Sequence, residues 1–379
     1  MKIAVTGGHL TPALAFIHAF RQENVNAFFF FIGRTFAQEK EKMVSKEKQI
    51  VESLGIPFYP ILASKFHRTY FWKNFGEFFR LFPSIVQSYH ILKDHRPDIF
   101  VSFGGYVAFP VAVSAKILGI PIITHEQTRT AGLANRIIAH LATKVAVSHE
   151  DSVKHFPKGK TVITGNPVRP AFLQPSTVRP DWMFPSLTKP LVFITGGSQG
   201  SYVLNKTVGE IIRKLSGECY VVHQCGSAHE SKYATELEVL RDKLPKVNQK
   251  RVIIREWIDE VDVAWMFEHA DVVIARSGAN TVQEILLSEV PAIFIPLPFS
   301  HDNEQVKNAQ YIEEAGGAMI ITQKKLNKES LWGALETVLR TQKKMKLAVS
   351  RLKRRSILDG SARLVRLCED VLKKNEKLA

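Results

Sequence analysis

The residues able to do chemistry fall into six short segments. Thr6-Gly7-Gly8-His9 comes first. Paired glycines let backbone approach a ligand closely, and the amides at the start of a following helix attract negative charge. His9 stands at that start, with a ring that takes a proton near neutral pH. The second segment is Thr195-Gly196-Gly197-Ser198-Gln199-Gly200-Ser201. Its spacing departs from the dinucleotide fingerprint Gly-x-Gly-x-x-Gly, yet a glycine turn opening into a helix suits a phosphate. The same residues also read as a tight turn with Ser198 or Ser201 as helix N-cap. The third runs from Asp271 to Glu284: a strand, a Ser277-Gly278 turn and a helix from about Asn280, with Glu284 about one turn inside. A carboxylate there suits two ribose hydroxyls, as in dinucleotide folds; a solvated helix residue would look the same.

The fourth segment, Pro298 to Ala309, is a polar loop entering a helix, with groups fit to hold a sugar. The fifth is His125-Glu126-Gln127-Thr128, with Ala131-Gly132-Leu133-Ala134-Asn135-Arg136 just beyond. The sixth is Thr164-Gly165-Asn166-Pro167-Val168-Arg169-Pro170, in which Arg169 offers a planar fork of donors to a phosphate. Each of these three also fits an ordinary polar loop at a strand end. The chain has no Gly-x-x-x-x-Gly-Lys-Ser/Thr, no His-Glu-x-x-His, no Cys-x-x-Cys and no Asp-x-Asp to hold a metal against a diphosphate. Nucleotide hydrolysis at a P-loop is therefore not expected, nor is a metal or cofactor.

The elements that must position these segments are legible as short apolar runs separated by helical stretches. Ile3–Val5, Ala27–Ile32, Ile99–Ser102 and Ile120–Thr124 read as strands, with helices such as Pro12–Glu23 and Gln38–Leu54 between the first of them. A second series follows: Leu191–Thr195, Tyr220–Gln224, Arg251–Arg255, Asp271–Ala275, Ala292–Pro296 and Ala318–Ile321. Uniformly apolar strands alternating with helices predict an α/β fold with parallel sheets covered on both faces. Ile3 to Gly8 echoes Val192 to Gly197, which predicts two doubly wound domains. A proline-rich stretch from Pro167 to Pro190 suits a linker. The expected division is an N-terminal domain over 1–168, a linker over 169–190, a C-terminal domain over 191–345 and terminal helices over 346–379. Whether those helices pack back on the first domain is left open.

Composition narrows the class. The 379 residues are 45% apolar and 23% charged, ordinary for a globular chain and wrong for a disordered or collagenous one. Lys and Arg exceed Asp and Glu by 51 − 36 = 15, which favours an anionic partner. Glycine turns, and no aromatic RNA platform, argue against nucleic acid. The three cysteines, Cys219, Cys225 and Cys368, fit no zinc or disulfide framework, and their odd number suits a reducing compartment. The N-terminus does not read as a signal peptide. The longest uncharged run, Ile99 to Ala115, is short for a spanning helix and broken by Gly104-Gly105 and Pro110. The expectation is a cytoplasmic protein, soluble or bound at a membrane surface. From Lys65 to Phe82, eight aromatic residues mingle with four Lys and Arg. That mixture suits an anionic headgroup layer; a core helix packed on the sheet is the other reading.

Taken in order, these pieces resemble the bacterial peptidoglycan N-acetylglucosaminyltransferases of glycosyltransferase family 28, from Thr6 to about Gly317. The matching residues are Thr6-Gly7-Gly8-His9 with Pro12-Ala13, Ser102-Phe103-Gly104-Gly105-Tyr106, His125-Glu126-Gln127 and Thr164 to Arg169. They continue with Gly196 to Gly200, His223-Gln224-Cys225-Gly226, Arg276-Ser277-Gly278-Ala279 with Thr281 and Glu284, and Gln305 with Asn308-Ala309. The family pattern has Gly-Gly where this chain has Ala4-Val5, Asn where it has Thr128, and Leu where it has Asn280.

The resemblance implies a GT-B fold, two Rossmann-like domains facing across a cleft. It implies inverting transfer of N-acetylglucosamine from UDP-N-acetylglucosamine to the C4 hydroxyl of lipid I, undecaprenyl-pyrophosphoryl-MurNAc-pentapeptide, at the cytoplasmic face of an anionic membrane surface. By that resemblance His9 is the base, and Thr6, Gly7 and Gly8 face the acceptor. Arg169 and Asn135 line the cleft, and Thr128 is a further substrate-binding residue. Ser198 touches phosphate, Ile258 the uracil edge, and Ala279, Asn280 and Thr281 lie under the phosphates. Glu284 holds ribose and Gln305 the sugar. Two other readings stay open: a family 28 enzyme with a different lipid acceptor, and a UDP-N-acetylglucosamine 2-epimerase.

Overall fold

The structure, a computed structural model, describes residues 1–34, 45–62, 82–174, 178–197, 199–226 and 232–376. The chain divides into two units: Met1–Arg169 with Asp359–Ala379, and Pro170–Leu358.

The first unit is built on seven parallel strands: β1 (Lys2–Thr6), β2 (Phe28–Gly33), β3 (Phe58–Pro60), β4 (Ile99–Ser102), β5 (Ile122–Glu126), β6 (Lys144–Val147) and β7 (Thr161–Ile163). Their order in the sheet is β3-β2-β1-β4-β5-β6-β7. Alternate residues of a strand point to opposite faces. Ile3, Val5, Phe29 and Phe31 therefore share one face, where they meet Phe16 and Phe20 of the helix Leu10–Glu23. Ala4, Phe30, Ile32 and Phe100 share the other, under the helices Ala108–Ile117 and Leu133–Leu141. Because both faces are covered, the strands carry no polar alternation. The last helix, Gly360–Glu376, adds Leu364, Val365 and Cys368 to the first of these faces, and Asn24 Nδ2 donates to its Glu369 at 3.0 Å.

The second unit holds six parallel strands: β8 (Leu191–Thr195), β9 (Tyr220–Gln224), β10 (Val252–Arg255), β11 (Val272–Ala275), β12 (Ala292–Phe294) and β13 (Ala318–Ile320), in the order β10-β9-β8-β11-β12-β13. Numbered within the unit, that order is 3-2-1-4-5-6, the arrangement of dinucleotide-binding sheets. The first unit has the same order with one strand added.

Two boundaries differ from the sequence expectation. The proline-rich stretch belongs to the second unit, because its apolar side chains find partners there. Met183 and Phe184 are buried in that core, and the Phe172 ring meets Phe267 edge-on at 5.4 Å. Each such burial is worth about 1.5–3 kcal/mol, enough to hold the stretch down. The basic helix Lys328–Lys353 is also part of the second unit, through Leu331, Trp332, Leu335 and Val338. Only the final helix belongs to the first.

Candidate active site

In open α/β sheets, ligands bind beyond the carboxyl ends of the strands where the strand order reverses. In the first unit that point is β1, which pairs with β2 on one side and β4 on the other. Thr6-Gly7-Gly8-His9 leaves β1 there, and Phe103-Gly104-Gly105 leaves β4. The two turns touch through backbone. A Cβ on Gly8 would stand 2.5 Å from Gly105 N, and one on Gly105 would stand 2.6 Å from Gly8 Cα. Gly104 and Gly105 have φ of 76° and 80°, a region that side chains disfavour. These glycines are what the close approach requires.

His9 is the N-cap of the helix Leu10–Glu23, and no side chain caps that end. The ring touches solvent, yet the surrounding protein lowers its pKa below the usual imidazole value, and the Glu126 carboxylate offsets part of the shift. The neutral, proton-accepting form is thereby favoured at pH 7. Thr6 is fully buried and its Oγ1 has no hydrogen-bond partner among the described residues.

Beside this turn, Glu126 at the end of β5 is a clasp. It accepts from Thr128 N at 3.0 Å, Thr128 Oγ1 at 2.7 Å, Gly132 N at 2.9 Å and Asn135 Nδ2 at 3.0 Å. Asn135 also donates to the His125 carbonyl and accepts from Thr124 Oγ1 at 2.7 Å. Its amide would meet a Cβ on Gly104 at 2.8 Å. Thr128 and Asn135 are both buried, and their polar atoms serve this loop and the glycine turn. His125 donates from Nε2 to the Gly165 carbonyl at 3.1 Å, and burial pushes its pKa down to about 4. Arg169 is the last residue of this unit's first segment and is partly buried.

In the second unit the reversal falls at β8, which pairs with β9 and β11. The turn after β8 is closed by backbone against backbone: a Cβ on Gly200 would land on the Cys225 carbonyl. Ser201 is the N-cap of the helix Tyr202–Glu218, accepting from Leu204 N at 3.4 Å. Ser198 lies outside the described residues. The turn after β11 is different. Gly278 is the N-cap of the helix Ala279–Ser288, no side chain caps that end, and a Cβ on Gly278 would meet nothing within 4 Å. The helix end carrying Ala279, Asn280 and Thr281 is partly exposed, and such an end attracts negative charge.

Glu284 is one turn further along the same helix and is buried. Gln305 is drawn to the same turn: its carbonyl accepts from Ser277 Oγ at 2.7 Å, and its Oε1 accepts from Leu297 N at 3.0 Å. Ile258 is buried, just past β10. The second unit thus gathers Ala279, Asn280, Thr281, Glu284 and Gln305 around one turn.

The comparisons with known proteins match both units. Residues 5–147 match the glycosyltransferase family 28 N-terminal domain, and residues 191–363 match the family 28 C-terminal domain. The chain belongs to glycosyltransferase family 28.

Among family 28 relatives, the UDP-N-acetylglucosamine–N-acetylmuramyl-(pentapeptide) pyrophosphoryl-undecaprenol N-acetylglucosamine transferase of Bacillus cytotoxicus is 32% identical over 374 residues, 97% of this chain and 98% of that protein. The crystal structure of Acinetobacter baumannii MurG superposes with a TM-score of 0.71 at 24% identity, over 98% of this chain and 100% of the other. A UDP-GlcNAc 2-epimerase from Neisseria meningitidis gives 0.63 at 13%, over 98% and 100%. Both structures share the fold, that of two Rossmann-like domains of the GT-B class.

Two residues of this family 28 chain have roles that the sequence reading missed. Arg276 is partly buried, which lowers its pKa, and ties the strand ends together. It donates to the Ile295 carbonyl at 2.9 Å, to Ser201 Oγ at 2.7 Å and to Gln323 Oε1 at 2.8 Å. A basic residue directly after an apolar strand was the available clue. Asn205 donates to the Cys225 carbonyl at 2.9 Å and meets His223 Nε2 at 3.0 Å, fixing the Gly200–Gly226 contact. Nothing in its spacing announced that.

Proposed function

We propose that the protein transfers N-acetylglucosamine from UDP-N-acetylglucosamine to the C4 hydroxyl of lipid I, with inversion at the anomeric carbon, to make lipid II for peptidoglycan. The observation that carries this reading is a division of chemistry. The first unit offers an exposed, base-competent imidazole beside a glycine turn; the second offers an uncapped helix end with a carboxylate one turn inside. A transferase needs those two functions on two substrates. The relative that matches nearly the whole chain bears the name of that reaction.

In this reading the acceptor oxygen attacks C1 on the face opposite UDP. The new C1–O bond forms as the bond to the diphosphate breaks. His9 takes the hydroxyl proton, which its lowered pKa leaves it free to do at pH 7. The charge left on the diphosphate is held by the amides of Ala279, Asn280 and Thr281, with Arg169 and Ser198 as further phosphate contacts. Glu284 holds the ribose, Gln305 the sugar and the Ile258 backbone the uracil. Thr6, Gly7 and Gly8 face the acceptor, and Thr128 and Asn135, held by Glu126, are the further substrate-binding residues of that unit.

The reading includes docking at an anionic membrane surface on the cytoplasmic side. The formal charge of +15 supports it. The aromatic and basic segment from Lys65 lies outside the described residues as far as Leu81. Among the described residues no helix is long and apolar enough to cross a membrane.

The test is transfer of radiolabel from UDP-N-acetylglucosamine to a lipid I analogue by the purified protein, beside an arm with donor alone. Labelled lipid only when acceptor is present is expected. Consumption of donor alone would assign the epimerase reaction instead, and label passing only to another lipid would assign a different acceptor.

A further inference from the structure

The helix Lys46–Ser53 carries a carboxylate that the reaction above does not use. Glu47 reaches the carboxyl ends of β1 and β2. Its Oε1 lies 3.1 Å from where a Cβ on Gly7 would stand, and its Oε2 lies 2.9 Å from the same position on Gly33. Two glycines, one on each strand end, thus leave the niche that the carboxylate fills. The backbone N–H of Arg34 donates to it. The Arg34 guanidinium, whose charge also acts on Glu47, donates to Tyr106 Oη at 2.6 Å, with its carbon 5.8 Å from that ring. Tyr106 directly follows the Gly104-Gly105 turn. A line of contacts, Glu47 to Arg34 to Tyr106, therefore spans the ends of β2, β1 and β4, around the turn that presents His9.

We propose that Glu47 is a positioning residue for the acceptor: in its charged form it fixes the Gly7 turn and Arg34, and so the surface on which the acceptor sugar rests. This inference rests on the transferase reading, in which that turn faces lipid I. Removing the carboxylate charge loosens the acceptor site and leaves the donor site in the other unit untouched. Burial holds the Glu47 carboxyl up at about 7, against the opposing pull of Arg34. Arg34, the residue after β2, is the charged group facing it. β1 and its turn bring Gly7, β2 also brings the Phe31 ring, and on its own helix Lys48 pairs with Glu52 at 3.7 Å. The sign follows. Glu47 is charged above its pKa and neutral below, so acceptor binding weakens as pH falls through neutrality.

The experiment measures KM for a lipid I analogue at saturating UDP-N-acetylglucosamine across neutral pH, in the wild type and in Glu47→Gln. The expected wild-type KM rises as pH falls through about 7. Glu47→Gln should show a high KM that no longer changes there, about tenfold above the wild-type value on the alkaline side, as for one lost charge-assisted contact. The KM for UDP-N-acetylglucosamine should be unchanged. An unaltered acceptor KM in Glu47→Gln, or the same pH dependence in both proteins, would overturn the proposal. Should Glu47→Gln not fold, the wild-type profile decides alone: an acceptor KM flat through neutrality overturns it. Absence of any transfer by the wild type would instead remove the transferase reading.

Discussion

Gly8 and Gly105 are packed backbone to backbone, so that a single added carbon on Gly8 would stand 2.5 Å from the Gly105 nitrogen. Neither side of that contact is a flexible side chain that could move away. Gly8→Ala should therefore destabilise the first unit by about 1–3 kcal/mol, the range for overpacking. Urea unfolding measures it, and calorimetry should find UDP binding intact, since the second unit has its own core.

His9→Ala should lower kcat by about 10²–10⁴-fold, the usual contribution of a positioned base, with UDP affinity unchanged. The wild-type kcat should fall on the acid side below the ordinary imidazole pKa of 6.5, because the folded value is lowered. Pre-steady-state transfer assays across pH test both statements. An unchanged turnover in His9→Ala would remove His9 as the base.

Glu284→Gln should weaken UDP binding by about tenfold, the size of one lost hydrogen bond to a charged acceptor. The residue is buried in the helix Ala279–Ser288, so an unfolding curve must accompany the titration to separate ligand loss from helix loss.

Acid should destabilise each unit through its histidines. Burial lowers His125 to about 4, and His223 in the second unit to about 3. A histidine whose folded pKa is depressed contributes stability above its unfolded value, near 6.5, and loses it as pH falls towards the folded value. Urea midpoints of the second unit should be flat above about pH 6.5 and decline below it, while in the first unit Glu47, held up at about 7, opposes part of the histidine effect. A midpoint that held steady down to about pH 4.5 would contradict the assignment of these rings as neutral.

Much of the scaffold was legible because the strands are uniformly apolar. Phe28 to Gly33 and Leu191 to Thr195 can be little else than buried parallel strands. The short strands β3, β6 and β7 escaped, since Phe58-Tyr59-Pro60, Lys144 to Val147 and Thr161 to Ile163 are too brief or too polar to stand out. The glycine turns were legible as turns, and the fold explains their place at the two reversal points. The clasp around Glu126 was not legible, because its four donors come from a backbone path that only the folded loop defines. Glu47 was hidden for the same reason: in sequence it is one charge on a helix, and only the sheet brings it to Gly7 and Gly33.

The last helix, Gly360–Glu376, has a consequence for how the protein comes into being. Its Leu364, Val365 and Cys368 close the face of the first sheet against Phe16 and Phe20. On the ribosome, residues 1–169 emerge early, yet that face stays open until Gly360–Glu376 has left the exit tunnel. The half of the molecule that is made first is therefore the half that is finished last. A chain cut short before Gly360 and released would pair a completed second unit with an unsealed first one, the form most exposed to chaperones and proteases.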